Sequence, residues 1–349
     1  MAARAPQTVV TPATGPAPTV LVMGAGNIGC WLGARLQAAG ATVHLVGHQR
    51  MLQALGAHGL TLSDRAGGQL ALPAASLRLC DAVPEGLKPD LVLLCVKSGA
   101  TAGAAAQLAA RLPAGTLVLS MQNGISNADV AQAAAPKLLL LRGMVGFNVG
   151  ELGPGRLHRG TDGQLAVQSH LGLLPCLPWF DAAGLPLALH EDMLPVLWGK
   201  LLLNLNNAVN ALSGLPLRAQ LLDADLRHCT AALVSETLLL LKQAGIRPAR
   251  VSSLRPGMLP AVLRLPTPLF RLVARRMLRI DAKARSSMAD DLAWRRPTEV
   301  DAIQGEVLRL AGRLNQLAPC NARMTQLVRA WSPRSQPLSG RGMRKFLNL

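Results

Sequence analysis

Two stretches carry side chains whose types and spacing could do chemistry. The first is Gly24-Ala25-Gly26-Asn27-Ile28-Gly29, a G-x-G-x-x-G pattern directly after the apolar run Thr19–Met23 and directly before CWLGARLQAAG. Between a strand and a helix, Gly24 permits a tight turn and Gly26 lets backbone approach a pyrophosphate. Gly29 lets the helix pack close on the strand, and the helix N-terminus adds unpaired N–H groups and positive dipole. A dinucleotide is the expected ligand, and a glycine-rich turn without one is the bland alternative. The second stretch is VLWGKLLLNLNNAVNALSG, where Lys200 precedes asparagines at 204, 206, 207 and 210. On a continuous helix Asn204 falls about 40° and Asn207 about 20° from Lys200, Asn206 points away and Asn210 is marginal. Amides are costly to bury unpaired, so this face predicts an internal polar cleft, or a structural network bonding neighbouring backbone. An ammonium in such a cleft can stabilise the charge that develops on a carbonyl oxygen during hydride addition, and can deliver the proton. The chain has no Tyr, which excludes a tyrosine acid.

The cofactor can be read further. An acid after the second strand would bind the ribose 2′-hydroxyl of NAD. The chain reads His44-Leu45-Val46-Gly47-His48-Gln49-Arg50 there, with no acid, so His48 and Arg50 are expected at the 2′-phosphate of NADPH/NADP+. Lys97 closes the apolar run DLVLLCVK, and Asn123 closes TLVLSMQNG. Either could be an ordinary surface charge or an Asn-Gly turn. Two polar strand ends on one sheet edge strengthen the reading of both as cofactor contacts.

The elements that must hold these residues follow from periodicity. Short apolar runs at 19–23, 90–97 and 116–124, with ATVHLVG, LLLLRGMVGFNVG and GQLAVQS, read as strands separated by helical stretches such as 100–112. That alternation predicts a Rossmann-type doubly wound α/β sheet over 19–192. From 193 to 331 the long helix-periodic runs predict an all-α domain, with a disordered tail at 1–18 and a mobile basic tail at 332–349.

Composition narrows the function classes. The chain has 349 residues, enough for two cores, and half are hydrophobic. The net charge is +17, with 20 of the 36 basic residues in 245–349, so an anionic partner is expected there. Aromatics are 3%, too few for stacking platforms, and no nucleic-acid motif accompanies the charge, so nucleic acid is not expected. Six scattered cysteines, with no C-x-x-C pair and no H-E-x-x-H, predict no metal site and fit a reducing cytoplasm. The charge-free stretch 5–34 is cut by prolines and glycines, so no membrane span is expected.

Several ordered blocks together resemble the ketopantoate reductase (2-dehydropantoate 2-reductase) family. They are VLVMGAGNIG, LLCVKS, LSMQNG, LWGKLLLN, and SSM followed by RPTEVDAIQGEVLRLA, and the resemblance spans roughly 19–330. It implies a Rossmann domain, a helical domain, a cleft between them, and NADPH-dependent reduction of 2-dehydropantoate to pantoate, toward pantothenate and coenzyme A. It makes Lys200 the catalytic lysine, Glu299 a glutamate near the reaction centre, Asn204 a substrate contact, Ser287 the holder of the substrate carboxylate, and Asn123 and Lys97 cofactor-side contacts. Independently of it, Thr298 reads as an N-cap with Glu299 in the first helical turn, where a plain dipole-complementing Glu would look the same. Ser287 has no signal of its own.

The chain also departs from the family pattern. Ala208 stands where the family often has a second cleft asparagine, which leaves Asn207 or Asn210 to serve, with Asn207 on the Lys200 face. His48 stands at the family's usual arginine, and Ala284 where a polar substrate contact can occur. These changes keep open a different branched 2-oxo acid as substrate. A non-catalytic NADP-binding regulator is the remaining alternative, and a homodimer is an open assembly. Residues 237–280 contain nine basic residues and no acid. Within them Leu269, Leu272, Val273, Met277 and Ile280 form one stripe, with Arg271, Arg275 and Arg279 on another face. The stripe is expected to pack onto the helical domain and not to bind membranes.

Overall fold

Leucine- and valine-rich runs bounded by Gly, Asp and Pro build the first unit. A computed structural model describes residues 16–275, 278, 281, 284–332 and 335–349. The chain divides into one unit of Met1–Gln122 and Ser126–Met193, and a second of Asn123–Ile125 and Leu194–Leu349.

In the first unit, β1 (Thr19–Met23), α1 (Asn27–Ala38), β2 (Thr42–Val46) and α2 (Gln49–His58) are followed by β3 (Leu60–Asp64), β4 (Gln69–Leu72) and β5 (Arg78–Cys80). Then come β6 (Leu91–Leu94), α3 (Thr101–Arg111), β7 (Leu117–Ser120), α4 (Asn127–Ala134) and β8 (Leu139–Val145). The unit closes with β9 (Val149–Gly153), β10 (Arg156–Arg159), β11 (Leu165–Gln168), α5 (Leu177–Ala182) and β12 (Leu187–His190). The main sheet has the order β12-β11-β8-β7-β6-β1-β2-β5. Every pairing in it is parallel except β8 with β11. Strands β6 and β7 are buried at every position, as a sheet covered on both faces requires. The strand order reverses at β1, which lies between β2 and β6, and ligands of open α/β sheets bind outside the carboxyl ends of strands at such a point.

A second sheet, β4-β3-β10-β9, is not expected from the sequence, although the run LLLLRGMVGFNVG, read as one strand, ends in the first two residues of β9. Its outer strands β4 and β9 have no buried position, so they lack the apolar signal that marks the main strands. The expected tail at 1–18 lies, for residues 1–15, outside the described residues. Pro18 already belongs to the fold, accepting a hydrogen bond from Thr42 N at 2.9 Å.

The second unit is helical: α6 (Leu194–Asn204), α7 (Asn206–Ser213), α8 (Leu217–Leu222), α9 (Ala224–Gln243), α10 (Leu259–Leu263), α11 (Thr267–Val273), α12 (Ser287–Ala293), α13 (Val300–Arg313), α14 (Pro319–Ala330) and α15 (Gly340–Leu347). Helix α9 packs against α7, α8, α10, α13, α14 and α15.

Two expectations are corrected here. Residues 340–347 form α15 rather than a basic tail, with Met343 and Leu347 fully buried and Arg344 paired with Asp225 at 2.8 Å. Two inward-facing apolar side chains one turn apart are too faint a period to stand out among the flanking Ser, Pro and Gly. The expected apolar stripe of the basic segment 237–280 is also wrong where it is described. Leu269, Leu272 and Val273 are exposed, while Phe270 and Ala274 pack inward with Val262 and Leu263. Helix α11 ends at Val273, so a phase drawn over a longer helix does not apply; Met277, Arg279 and Ile280 lie outside the described residues.

Candidate functional site

The glycine loop of the first unit is shaped by contacts that a side chain would destroy. Gly24 has φ +113°, and a Cβ there would lie 2.6 Å from Val96 N. A Cβ on Gly29 would lie 2.1 Å from Gly24 O, so α1 sits hard against its own loop. Gly26 differs, since a Cβ there would meet nothing within 4 Å. Gly26 is exposed and is the N-cap of α1, with no side chain to cover the first-turn N–H groups. This open concavity at a helix N-terminus fits the pyrophosphate of a dinucleotide. Ala25 N donates to Val46 O at 2.8 Å, fixing the loop on β2. The Asn27 side chain is turned to β9, donating to Val149 O at 3.1 Å, and Ile28 packs on the core of the unit.

His48 is the exposed N-cap of α2, and Arg50 is exposed in its first turn. Sequence reasoning found no acid at this corner, yet β9 brings one. Glu151 Oε2 lies 3.7 Å from the Arg50 guanidinium, and its side chain is only 11% exposed. No local pattern could reveal a carboxylate carried in by a strand about a hundred residues further along.

Lys97 is exposed beyond the end of β6. Beneath its segment runs a buried polar network that the sequence reading also missed. Gln122 Nε2 donates to Val96 O at 2.8 Å and to Thr101 Oγ1 at 2.7 Å. Ser120 donates to Gln122 Oε1, and Thr101 to Asn127 Oδ1. The signal was a glutamine beside Asn123 at the end of an apolar strand, a costly place for an amide without partners.

In the second unit the predicted residues form a connected chain. Asn204 Nδ2 donates to Asn123 Oδ1 at 3.2 Å, and Asn123 Nδ2 donates to Glu299 Oε2 at 3.1 Å. Asn123, expected at the cofactor, therefore bridges the expected substrate amide and the expected catalytic carboxylate. Glu299 itself occupies the N-cap position of α13, with Thr298 one residue earlier, which corrects the expected capping register.

Lys200 lies one turn before Asn204 on α6 and is half-buried. No hydrogen bond or ion pair joins it to another described residue. Burial pushes its amine down to about 8, because a desolvated ammonium is disfavoured with no carboxylate to offset the cost. Gly199 lets residues 249–251 approach α6 closely, since a Cβ there would lie 2.3 Å from Ala249 O.

The expected continuous lysine–asparagine helix is interrupted at Leu205, between α6 and α7, although Leu205 keeps right-handed helical backbone and its N–H still bonds Leu201 O at 2.9 Å. Gln304, fully buried on α13, donates to the Leu205 carbonyl at 3.2 Å. The asparagines beyond Leu205 take different roles. Asn206 bonds Gln220 and Thr230, and fully buried Asn210 donates to Leu215 O and accepts from Ser286 N at 2.9 Å. Both are structural, which leaves Asn207 with an uncommitted side chain; its carbonyl accepts from Ser286 Oγ. Ser286 caps α12, and Ser287 is the exposed first residue of that helix.

A glycine loop where the strand order reverses and, in the helical unit, a desolvated lysine one turn before an amide–carboxylate chain are the equipment of a dinucleotide-dependent oxidoreductase. The comparisons give the family. The model for ketopantoate reductase PanE/ApbA matches residues 20–172, and that for its C-terminal domain matches 192–332. The chain belongs to the ketopantoate reductase family, and so is an oxidoreductase that works with a nicotinamide cofactor. It is 27% identical to the 2-dehydropantoate 2-reductase of Halobacterium salinarum over 324 residues, 89% of this chain and 97% of the relative. A PanE/ApbA family ketopantoate reductase from Ralstonia eutropha matches with a TM-score of 0.74 at 27% identity, over 89% of this chain and 97% of that one. A D-mandelate dehydrogenase solved with NADH and anilino(oxo)acetate shares the fold, with a TM-score of 0.73 at 20% identity over 95% and 99% of the two chains.

Proposed function

We propose that this chain reduces 2-dehydropantoate to pantoate with NADPH, with Lys200 as proton donor. The observation that carries this reading is a half-buried lysine amine, held near 8, one turn from the Asn204–Asn123–Glu299 chain. NADPH, when bound, supplies the hydride that reaches the 2-oxo carbon. The Lys200 ammonium stabilises negative charge on the carbonyl oxygen and gives that oxygen its proton. An amine near 8 is mostly ammonium at neutral pH, yet a stronger acid than an ordinary lysine. Glu299 orients Asn123, and Asn123 orients Asn204 with Nδ2 turned inward, so that Asn204 Oδ1 can accept from a substrate hydroxyl. Asn207 and Ser287 are the further substrate contacts, with Ser287 meeting the carboxylate. Residues 24–29 hold the pyrophosphate, His48 and Arg50 the 2′-phosphate, and Lys97 the cofactor side of the reaction. The six free cysteines support a reducing compartment, the cytoplasm.

Loss of NADPH absorbance against a panel of 2-oxo acids tests the proposal. Turnover of 2-dehydropantoate above that of other branched 2-oxo acids is expected, and no turnover of it overturns the substrate assignment. A second reading, a different branched 2-oxo acid, is favoured by one observation. Ala208 offers no amide and Asn210 is locked in structure, so the site presents fewer amides to a substrate hydroxyl.

A further inference from the structure

We propose that Glu151 sets the cofactor preference of this chain by competing with the 2′-phosphate for Arg50. The inference rests on assigning the corner after β2 to the adenosine ribose.

Two contacts and one electrostatic effect place the carboxylate there. Glu151 Oε2 lies 3.7 Å from the Arg50 guanidinium at the start of α2. Strand β9 lies against the first turn of α1, where Asn27 Nδ2 bonds Val149 O, two residues before Glu151. Cys30, in the same turn of α1, feels the carboxylate, which adds to burial in raising its thiol. Glu151 therefore stands between the pyrophosphate end of α1 and the cation expected to read the ribose.

The two partners differ in freedom. The Arg50 side chain is 61% exposed and can turn toward a ligand, while that of Glu151 is 11% exposed and cannot retreat into water. A 2′-phosphate must draw Arg50 from its carboxylate and then lie near that carboxylate, two like charges at short range. A 2′-hydroxyl has no such conflict and can donate to Glu151, as it would to the acid usually found after the second strand. The chain thus carries a phosphate-reading cation and a hydroxyl-reading anion in one corner.

The test is equilibrium binding of NADPH, NADH, 2′,5′-ADP and ADP, followed by tryptophan fluorescence or calorimetry. Glu151→Gln is expected to raise the NADH-to-NADPH Kd ratio about tenfold, mainly through tighter NADPH, with the same shift between ADP and 2′,5′-ADP. The shift should shrink at high salt, and should be clearly smaller when Glu151→Gln is made in Arg50→Ala, where only the direct repulsion between carboxylate and phosphate is left to relieve. Glu151→Asp, which keeps the charge, should leave the ratio closer to that of the natural chain, and thermal melting reports whether each variant folds. An unchanged ratio in folded Glu151→Gln, or weaker NADPH binding, overturns the inference. So does a shift of undiminished size without Arg50, which would leave no competition for the cation. The ratio change is read whichever cofactor the natural chain prefers; tighter NADH in the natural chain rejects the NADPH assignment alone.

Discussion

Lys200 is a residue kept at a cost. Holding its amine near 8 instead of 10.5 disfavours the charged form by roughly 3 kcal/mol at pH values below both. The folded state binds its proton less tightly than the unfolded chain, so the penalty is present in full below pH 8 and is relieved as pH rises toward 10.5. Lys200→Met should therefore melt no lower than the natural chain at neutral pH, while turnover falls at least about 100-fold, as for loss of an acid or oxyanion donor. Near-normal turnover would make Lys200 structural. Because reduction uses the ammonium, kcat/KM should decline as pH rises through about 8. The asparagines give a second contrast. Asn210→Ala leaves Ser286 N and Leu215 O without partners and should lower the melting temperature, whereas Asn207→Ala should raise KM at little cost to stability. Residue spacing made Lys200 and Asn204 legible as neighbours one turn apart, as they stand on α6. The capture of the Leu205 carbonyl by Gln304, the commitment of Asn210 and the arrival of Glu151 were not, because each depends on a partner distant in sequence.

At the scale of elements, the strongly periodic and fully buried segments were readable, and the half-exposed ones were not. Strand β1 fell on its expected residues, while β4 and β9 left no apolar trace. The basic segment around α10 and α11 is held by one buried cation, which no pattern announced. Arg227 on α9 is fully buried, donates to the carbonyls of Leu221, Leu263 and Leu265, and lies over the Phe270 ring at 4.3 Å. Arg227→Met removes the donors from three carbonyls. It should cost on the order of 3 kcal/mol, with early loss of hydrogen-exchange protection in α10 and α11. Protection lost evenly across the unit would contradict that anchoring role. On α15, Met343→Ala should cost about 2–5 kcal/mol in a denaturant titration, the expected range for a buried apolar side chain. A change near zero would mean that the helix is not seated in solution.

For the molecule as a whole, the charge of +17 is concentrated toward the carboxyl end. No described helix is long and apolar enough to cross a membrane. Exposed Leu269, Leu272 and Val273 beside Arg271, with Arg275 two residues past the helix, nevertheless put apolar and basic groups together at α11. Retention on an anionic matrix should fall steeply with salt, and Arg271→Glu/Arg275→Glu should elute earlier. Insensitivity of elution to salt would show that these charges are not what the matrix sees.

Asn123, Gly124 and Ile125 belong to the helical unit although the residues on either side of them belong to the sheet unit. Asn123 bonds Asn204 and Glu299, and Ile125 N donates to the buried Glu306 carboxylate at 3.3 Å. A recombinant chimera joined between residues 193 and 194 would thus inherit three residues of its helical half from the wrong parent. Crossovers that transplant 123–125 together with 194–349 should be the ones that keep the network intact, so the heritable block and the contiguous gene segment are different things in this fold.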